Sequence, residues 1–441
     1  MKSKARTTFA VVLFCFLVSG MAGLIYQVVW TRYLALFLGH TSYAVIAVLV
    51  AFMGGLAIGN AWLGAKADRA AKPLALYGWL EIGIAVYAVV FPTYYGVCHL
   101  AFVGLARHFE PGSGAVTLLK FLFSLATVLF PTTLMGATFP VLTRFVTRAL
   151  SELREKVGAL YFTNSFGAVL GCLVADFWWI PALGLELTVF CGAALNLAAG
   201  LVALYLSKQF SEEAPPPAAL PKADSREESF SADELRLALL GIGLSGFVAM
   251  LYEVAWTRVL ALALGSTTHA FSLMLITFIS GIAAGAWIIY RWRKLGSSLD
   301  AFAWAELALG ATVFGSMPFY ADVPYWFLRG ASLLSRQPAS YPMYELLQAL
   351  ICFGVMVVPA ACLGLTLPLV SRIATVELSH TGRSVGRVFA VNTLGTVLGA
   401  ICTGLLLMPW LGLPRTFAVG IVINISIGLC ILFRKRLERL H

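Results

Sequence analysis

The segment that decides the fold runs from Ser19 to Arg32 and reads SGMAGLIYQVVWTR. It returns 226 residues later as SGFVAMLYEVAWTR, from Ser245 to Arg258. Further pairs match at offsets of 225 to 228: Gly55 with Gly281, Gly59 with Gly285, Glu81 with Glu306, Gly136 with Gly364, Arg144 with Arg372, Asn164 with Asn392 and Pro181 with Pro409. Matches in the same order at near-constant spacing indicate an internal repeat. The chain is therefore a tandem duplication of one unit.

Both units have the composition of a membrane protein. Hydrophobic residues make up 60% of the chain and charged residues 12%, whereas a soluble domain carries about 25% charged residues. A membrane-spanning helix needs about 20 apolar residues, and such stretches lie at 8–31, 41–64, 74–95, 114–140, 157–181, 186–207, 236–258, 267–290, 301–320, 343–369, 384–409 and 414–433. We therefore expect an all-α polytopic membrane protein of about twelve spans, with an N-terminal half at 1–207, a cytoplasmic linker at 208–235 and a C-terminal half at 236–441.

The even number of predicted spans in each unit fixes how the two copies relate. Two six-span units in tandem cross the membrane in the same direction, so an axis along the membrane normal relates them. This parallel arrangement resembles the two halves of major-facilitator transporters, and we expect that fold. The proline-rich and charged linker between the halves is expected to be solvated.

The distribution of basic residues predicts the orientation. Of the 31 Lys and Arg residues, 24 lie in the termini, the linker and the loops after predicted spans 2, 4, 8 and 10, and 4 lie in the opposite loops. Basic loops stay in the cytoplasm, so we expect a bacterial-type inner (plasma) membrane, lipid contacts all round and both termini in the cytoplasm. A nucleic-acid-binding protein would gather this charge on one folded face, so no nucleic-acid partner is expected. The eight cysteines have no metal-site spacing, and we expect neither a metal nor a cofactor.

Two carboxylates at membrane depth differ between the copies. Ionisable groups inside a membrane are costly and are candidates for function. Asp176 lies in the fifth predicted span, where the second copy has Gly404, and Glu253 lies in the seventh, where the first copy has Gln27. Duplication tends to preserve scaffold contacts in both copies, so an asymmetric residue is the better candidate for substrate or proton binding. Asp176 and Glu253 are therefore the first candidates for a substrate site.

Glu81 and Glu306 are the symmetric pair of carboxylates, in the third and ninth predicted spans. Two interpretations stay open. They could hydrogen-bond between helices as part of the scaffold, or they could couple proton movement to transport.

The repeated segment also presents an aromatic face that ends in arginine. Tyrosine and tryptophan four residues apart share one side of a helix. The residues concerned are Tyr26, Trp30 and Arg32 in the first copy and Tyr252, Trp256 and Arg258 in the second. They could form an interfacial belt with a snorkelling arginine. Alternatively, they could line a substrate cavity between the halves and hold a cation by cation–π contacts.

Two further motifs concern how the halves meet. Glycine pairs four residues apart, at 55 and 59, 281 and 285, 167 and 171, and 395 and 399, predict close helix contacts. They could be ordinary tight packing or smooth contacts at the seam, where span 2 meets span 11 and span 5 meets span 8 in the major-facilitator fold. Gly64-Ala-Lys-Ala-Asp68-Arg69 resembles the Gly-x-x-x-Asp-Arg loop of that fold, whose aspartate caps a neighbouring helix and pairs with basic residues.

The paired Tyr-x-x-x-Trp-Thr-Arg segments, each followed by Leu-Ala-Leu, resemble the membrane part of spermidine synthase-like membrane proteins. These are also described as fused major-facilitator/spermidine synthase proteins. The first copy departs from the Tyr-Glu that this family commonly carries, because Gln27 follows Tyr26. The soluble synthase domain of fused members has no counterpart in this sequence, so we expect no catalytic residues and no enzyme activity. The resemblance implies a link to polyamine metabolism.

These observations favour a secondary transporter that moves a polyamine or related organic cation by alternating access. One alternative is a non-transporting scaffold that docks a separate soluble synthase, such as an aminopropyltransferase, or another enzyme. Another is a carrier of lipids, which Trp178 and Trp179 and the low polar content would suit.

Overall fold

The computed structural model of the protein describes residues 2–38, 42–110, 114–209, 228, 230–264, 268–292, 296–333 and 341–438. Most of the predicted linker and the end of the basic C-terminal tail lie outside these residues. The α-helices of the described part are α1 (Lys2–Leu38), α2 (Ser42–Ala67), α3 (Pro73–Ala106), α4 (Gly114–Val146), α5 (Leu150–Val174), α6 (Ile180–Gln209), α7 (Ala232–Leu264), α8 (Thr268–Arg291), α9 (Ser298–Tyr320), α10 (Val323–Leu333), α11 (Tyr341–Ala374), α12 (Thr381–Cys402) and α13 (Met408–Glu438).

Nine helical stretches within the described residues are long and apolar enough to cross a membrane. Two of them, Leu150–Gln209 and Leu378–Arg434, each contain two of the predicted spans. Helix α9, which covers the predicted span at 301–320, is not among the nine. The count of about twelve spans therefore stays a prediction, while the all-helical architecture is as expected.

The two double stretches turn at a glycine. Gly184 has a φ of 77° and Gly412 a φ of 73°, the left-handed region that favours glycine. Before each turn the helix widens into a π-helical segment, Ala175–Trp179 in the first copy and Thr403–Leu407 in the second. The turns and the widened segments thus occur at equivalent places in the two copies.

Two apolar clusters stack along the bundle. The inner cluster, which includes Phe16, Phe139 and Phe389, lies toward the end of the bundle where α1 begins and α13 ends, and we refer to that end as the inner face. The outer cluster contains the aromatic residues of the repeated segments, such as Trp30 and Trp256. Both clusters take residues from both halves, so apolar packing is continuous across the seam between them.

The helices that meet at this seam are the expected ones. Helix α2 packs against α12, and α5 packs against α8. In the inner cluster the rings of Phe139 and Phe389 meet across the halves with centroids 4.2 Å apart. Farther out, the Cys172 thiol lies 3.8 Å from the Ser272 carbonyl oxygen. The halves are thus in contact at both levels of the bundle.

The predicted glycine pairs pack inside the halves, so their interpretation as seam contacts is wrong. Glycines 55 and 59 of α2 face α4, 281 and 285 of α8 face α11, 167 and 171 of α5 face α1, and 395 and 399 of α12 face α7. The seam uses other glycines. A Cβ atom at Gly64 would lie 2.9 Å from the Gly382 carbonyl oxygen, and one at Gly158 would lie 3.1 Å from the Tyr290 nitrogen. Close approach of the halves at the inner face therefore depends on these positions.

Candidate functional site

A buried polar network joins three helices of the first half. Glu81 of α3 accepts a hydrogen bond of 2.6 Å from the Ser19 hydroxyl of α1 and another from the Asn196 side-chain amide of α6. The Asn196 oxygen accepts a hydrogen bond of 2.8 Å from the Tyr26 hydroxyl. All four side chains are buried. Both carboxylate oxygens of Glu81 therefore have partners, as the scaffold interpretation expects.

The second half repeats the asparagine and tyrosine contacts of this network, but the Ser245 hydroxyl, equivalent to that of Ser19, and Oε1 of Glu306 make no hydrogen bond to a described residue. The Asn424 amide of α13 donates to Glu306 of α9 over 2.6 Å, and the Tyr252 hydroxyl donates to Asn424 over 2.9 Å. The sequence interpretation missed both asparagines. The internal repeat could have identified them, because Asn196 and Asn424 are 228 residues apart, the same offset as the other matching pairs in these spans. A polar residue at equivalent depth in both copies of an apolar helix indicates a shared partner.

The aromatic faces of the repeated segments lie inside the halves. Trp30 stacks on Tyr26 with centroids 5.1 Å apart and on Phe91 of α3 at the same distance. In the second copy Trp256 contacts Tyr252 at 5.6 Å and Phe417 of α13 at 6.1 Å.

This location corrects both interpretations of the faces. The described partners of these side chains belong to their own halves, on α3, α6, α9 and α13 and, for Trp256, also on α8, so the side chains do not line a cavity between the halves in this structure. An interfacial belt would leave the rings partly exposed, yet Trp30 and Trp256 are each 1% exposed. They are core residues of their own halves. The sequence did not indicate this, because a helix that is apolar all round gives no sign of which face its own half will cover.

The two arginines that follow these faces differ in their surroundings. Arg32 forms an ion pair with Asp176, whose side chain is fully buried within the π-helical segment of the first copy. In the second copy Gly404 replaces the aspartate, and Arg258 is exposed with no ion pair among the described residues. Asp176 therefore already has a cationic partner inside its own half.

Glu253 is a buried carboxylate without a partner among the described residues, whereas Glu306, whose Oε1 atom is also unpartnered, keeps the Asn424 amide as a donor. Its side chain is 6% exposed, and its Oε1 atom is buried and makes no hydrogen bond to any described residue. Gln27, the equivalent residue of the first copy, is also buried. The two asymmetric carboxylates therefore differ, since Asp176 is paired with Arg32 whereas Glu253 is paired with no described residue.

The helix cap that the Gly-x-x-x-Asp-Arg resemblance implies is present at the inner face, and we refer to the contacts of its aspartate as the inner lock. Asp68 follows α2 of the first half and accepts hydrogen bonds from the backbone N–H groups of Gly382 and Arg383, over 2.7 and 2.8 Å, at the start of α12 in the second half. The Arg144 guanidinium lies 3.6 Å from the same carboxylate. Burial raises the pKa of Asp68 above its ordinary value, although these donors act in the opposite direction. Asp68 thus holds the two halves together by capping a helix N-terminus.

The fold is that of known membrane transporters. The human organic anion transporter MFSD10 (TETRAN) superposes with a TM-score of 0.61 at 14% identity, over 97% of this chain and 99% of that one. An outward-facing bacterial homologue of the iron transporter ferroportin has a TM-score of 0.59 at 15% identity, over 96% and 97%. The E. coli fucose:proton symporter FucP has a TM-score of 0.57 at 14% identity, over 98% and 99%.

Sequence similarity to known proteins covers less of the chain than structural similarity does. No family model matches the chain. A curated polyamine aminopropyltransferase from Leptospira interrogans (serogroup Icterohaemorrhagiae, serovar copenhageni) is 27% identical over 196 residues, or 44% of this chain. The chain spans about a third of that relative's length, 34%.

The structural neighbours are named for an organic anion, a metal and a sugar, and their identity with this chain is low, so the likeness shows the fold alone. What they share with it is the backbone arrangement over nearly the whole length. The chain has the major-facilitator fold, built from two parallel helical repeats.

Proposed function

We propose that this chain is a secondary transporter of the inner membrane that moves an organic cation, such as a polyamine, by alternating access between its two halves. Its termini would lie in the cytoplasm. The observation that carries the proposal is the Glu253 carboxylate, which is buried at membrane depth and has no hydrogen bond on Oε1 within the described residues.

An unpartnered carboxylate in this position needs neutralisation. An ionised carboxylate that is taken out of water loses on the order of several kcal/mol of solvation free energy. A proton or a cationic cargo would compensate it, and exchange of one for the other would couple their movements. The neutral Gln27 in the equivalent position of the first copy supports a role for Glu253 that scaffold packing does not require.

Asp176 is the second proposed contact for a cargo that has two cationic groups. A polyamine carries several ammonium groups, so one of them could take the place of Arg32 beside Asp176 while another pairs with Glu253. Displacing an existing ion pair costs more than filling an unpaired site. We therefore propose Glu253 as the primary residue. Glu81 and Glu306 stay candidates for coupling, but their hydrogen bonds favour a scaffold role.

The experiment is flux into liposomes that contain the purified protein. Radiolabelled putrescine, spermidine and a panel of other amines are offered with and without a pH gradient. Glu253→Gln keeps the shape of the side chain and removes its charge. Glu377→Gln is the matched control, because Glu377 is an exposed carboxylate near the start of α12 with local partners only.

We expect amine uptake that depends on the pH gradient, a loss of at least about tenfold in Glu253→Gln and no change in the control. Absence of flux for every amine in the panel would refute the cargo. Uptake that persists in the Asp176→Asn, Glu253→Gln double variant would refute the mechanism while leaving transport intact.

A scaffold that docks a soluble synthase is the second candidate function. Two observations favour it: the relative named as a polyamine aminopropyltransferase, and the apolar packing that continues across the seam. A scaffold would bind such an enzyme at its inner face and move no cargo.

Co-purification with an added aminopropyltransferase would test the scaffold. Binding of the enzyme to the unaltered protein, together with no flux of any amine in the panel, would favour it. Flux without binding would exclude it.

A further inference from the structure

The second copy lacks the residue that forms the inner lock in the first. Position 294, equivalent to Asp68 at the offset of 226, is a lysine and lies outside the described residues. The basic partner is retained, since Arg372 of α11 corresponds to Arg144 of α4. Arg372 is 6% exposed. A buried arginine needs acceptors, so another group must supply them.

Glu228, from the end of the linker, occupies this region. Its carboxylate accepts two hydrogen bonds from Ser298, one of 2.9 Å from the backbone N–H and one of 2.6 Å from the hydroxyl. Ser298 is the first residue of α9 and is fully buried. A carboxylate at this place caps the helix N-terminus and complements its dipole.

The first copy explains why Glu228 is required only in the second. The residue equivalent to Ser298 is Pro73, the first residue of α3. Proline has no backbone N–H to satisfy and suits the first turn of a helix. Ser298 brings both an N–H and a hydroxyl donor to a buried site, and Glu228 accepts from both.

Arg372 holds the same linker segment from the other side. Its Nη2 atom donates to the Glu228 carbonyl oxygen over 3.0 Å. Its guanidinium also lies over the ring of Phe230, 5.9 Å from the centroid, and that ring packs on the inner cluster. The end of the linker is therefore tied to α9 and α11 by side-chain and backbone contacts.

One further contact extends this attachment to the other half. Arg154 of α5, in the first half, has its Nη1 atom 3.3 Å from both the Ser298 hydroxyl oxygen and the Gly296 carbonyl oxygen. The Ser298 hydroxyl gives its proton to Glu228, so its lone pairs are left to accept from Arg154. Glu228 thereby orients the hydroxyl that links the two halves.

We propose that Glu228 is a conformational lock, in which the linker replaces the carboxylate that the second copy lost and holds the inner face closed through Ser298 and Arg154. The first lock, at Asp68, joins α2 to α12. The second joins the end of the linker to α9 and α11, and through Ser298 to α5 of the first half. Opening of the inner face must break both. The proposal concerns how the halves are held together, so it stands whether or not the cargo is a cation.

The test measures the distance between the inner ends of α5 and α8. The more accessible native cysteines are replaced first. Spin labels are then attached to the substitutions Glu152→Cys and Trp292→Cys, whose positions are exposed and lie on opposite sides of the seam, and the distance between the labels is measured by pulsed electron paramagnetic resonance. Glu228→Ala removes the lock. Ser298→Ala keeps the backbone N–H and removes only the hydroxyl. Glu377→Ala removes an exposed carboxylate of the same face.

The two hydrogen bonds of Glu228 lie on the second half's side of the seam, so Glu228→Ala acts by freeing the Ser298 hydroxyl that accepts from Arg154 across the seam. Weakening this one contact should lower the ratio of closed to open molecules by about threefold to tenfold, visible as a longer-distance population. Ser298→Ala should shift the distribution in the same direction, and Glu377→Ala should match the unaltered protein. Distributions in both lock variants that equal the control would overturn the proposal. Thermal unfolding of each variant establishes that a folded protein is being compared.

Discussion

Replacing Glu81 or Glu253 by methionine should change the stability of the protein in opposite directions. Both glutamates are buried in helices of the same bundle, and methionine has nearly the volume of glutamate without its polar atoms. The difference between them is their partners. Glu81 accepts from Ser19 and Asn196, whereas Oε1 of Glu253 accepts from no described residue.

The expected magnitudes follow from the groups left behind. Glu81→Met leaves a buried hydroxyl and a buried amide without their acceptor, at about 1–3 kcal/mol each. Its free energy of unfolding should fall by about 2–4 kcal/mol, toward the lower end because hydrogen bonds between membrane helices are individually weak. Glu253→Met removes a buried acceptor that has no donor, so its free energy of unfolding should rise by about 1–2 kcal/mol.

The native cysteines provide the assay. Cys15, Cys172, Cys352 and Cys362 are buried in the folded protein, at 9% exposure or less. A thiol-reactive fluorescent dye therefore reports unfolding of the purified protein as it is heated in detergent. At roughly 2–4 °C per kcal/mol, Glu81→Met should lower the Tm by about 4–16 °C and Glu253→Met should raise it by about 2–8 °C.

Glu306→Met is the intermediate case, because Glu306 accepts from Asn424 while its Oε1 atom accepts from no described residue, and it should lower the Tm less than Glu81→Met. Equal decreases in Glu81→Met and Glu253→Met would refute the reasoning. That result would mean that the Glu253 carboxylate has a stabilising partner, and the observation that carries the proposed function would be lost.

Three further predictions use the differences and likenesses between the copies. Arg32→Met should lower the free energy of unfolding by about 3 kcal/mol, because it removes the cationic partner of a buried aspartate, whereas Arg258→Met in the exposed counterpart should change the Tm little. Gly192→Ala and Gly420→Ala should each lower the Tm, because a Cβ atom at either position meets the ring of the network tyrosine; unchanged Tm values would show that these helices can separate without cost. Asp68→Ala should widen the α5–α8 label distances at the inner face, because it leaves two helix N-terminal donors unpaired between the halves; an unaltered distribution would exclude Asp68 as a lock.

The parts of the fold that could be predicted from the sequence are those that depend on local chemistry. The break between the fifth and sixth predicted spans contains Gly184, and the break between the eleventh and twelfth contains Gly412, because only glycine adopts the required φ without strain. The Asp68 cap was predictable since its motif combines a short loop, a carboxylate and the start of another helix.

The partners of the site residues could not be predicted in the same way. Helices α1 and α7 are apolar on every side of their membrane segments, so they lack the periodicity that would mark a core face. The sequence therefore could not show which neighbouring helix their aromatic side chains face. Arg32 and Asp176 lie 144 residues apart in sequence, and only the packed bundle brings them together. The glycine pairs indicated close approach but carried no information about which helix approaches.

The two π-helical segments also record the order of events in the history of this protein. Ala175–Trp179 and Thr403–Leu407 lie at equivalent positions 228 residues apart, each ahead of a glycine turn. The simplest history places this widened turn in the single ancestral unit, before the gene was duplicated. The aspartate within the first segment and the glycine in its place in the second mark a divergence that came later. A comparison of single-copy and duplicated homologues at these two positions would therefore date the ion pair relative to the duplication itself.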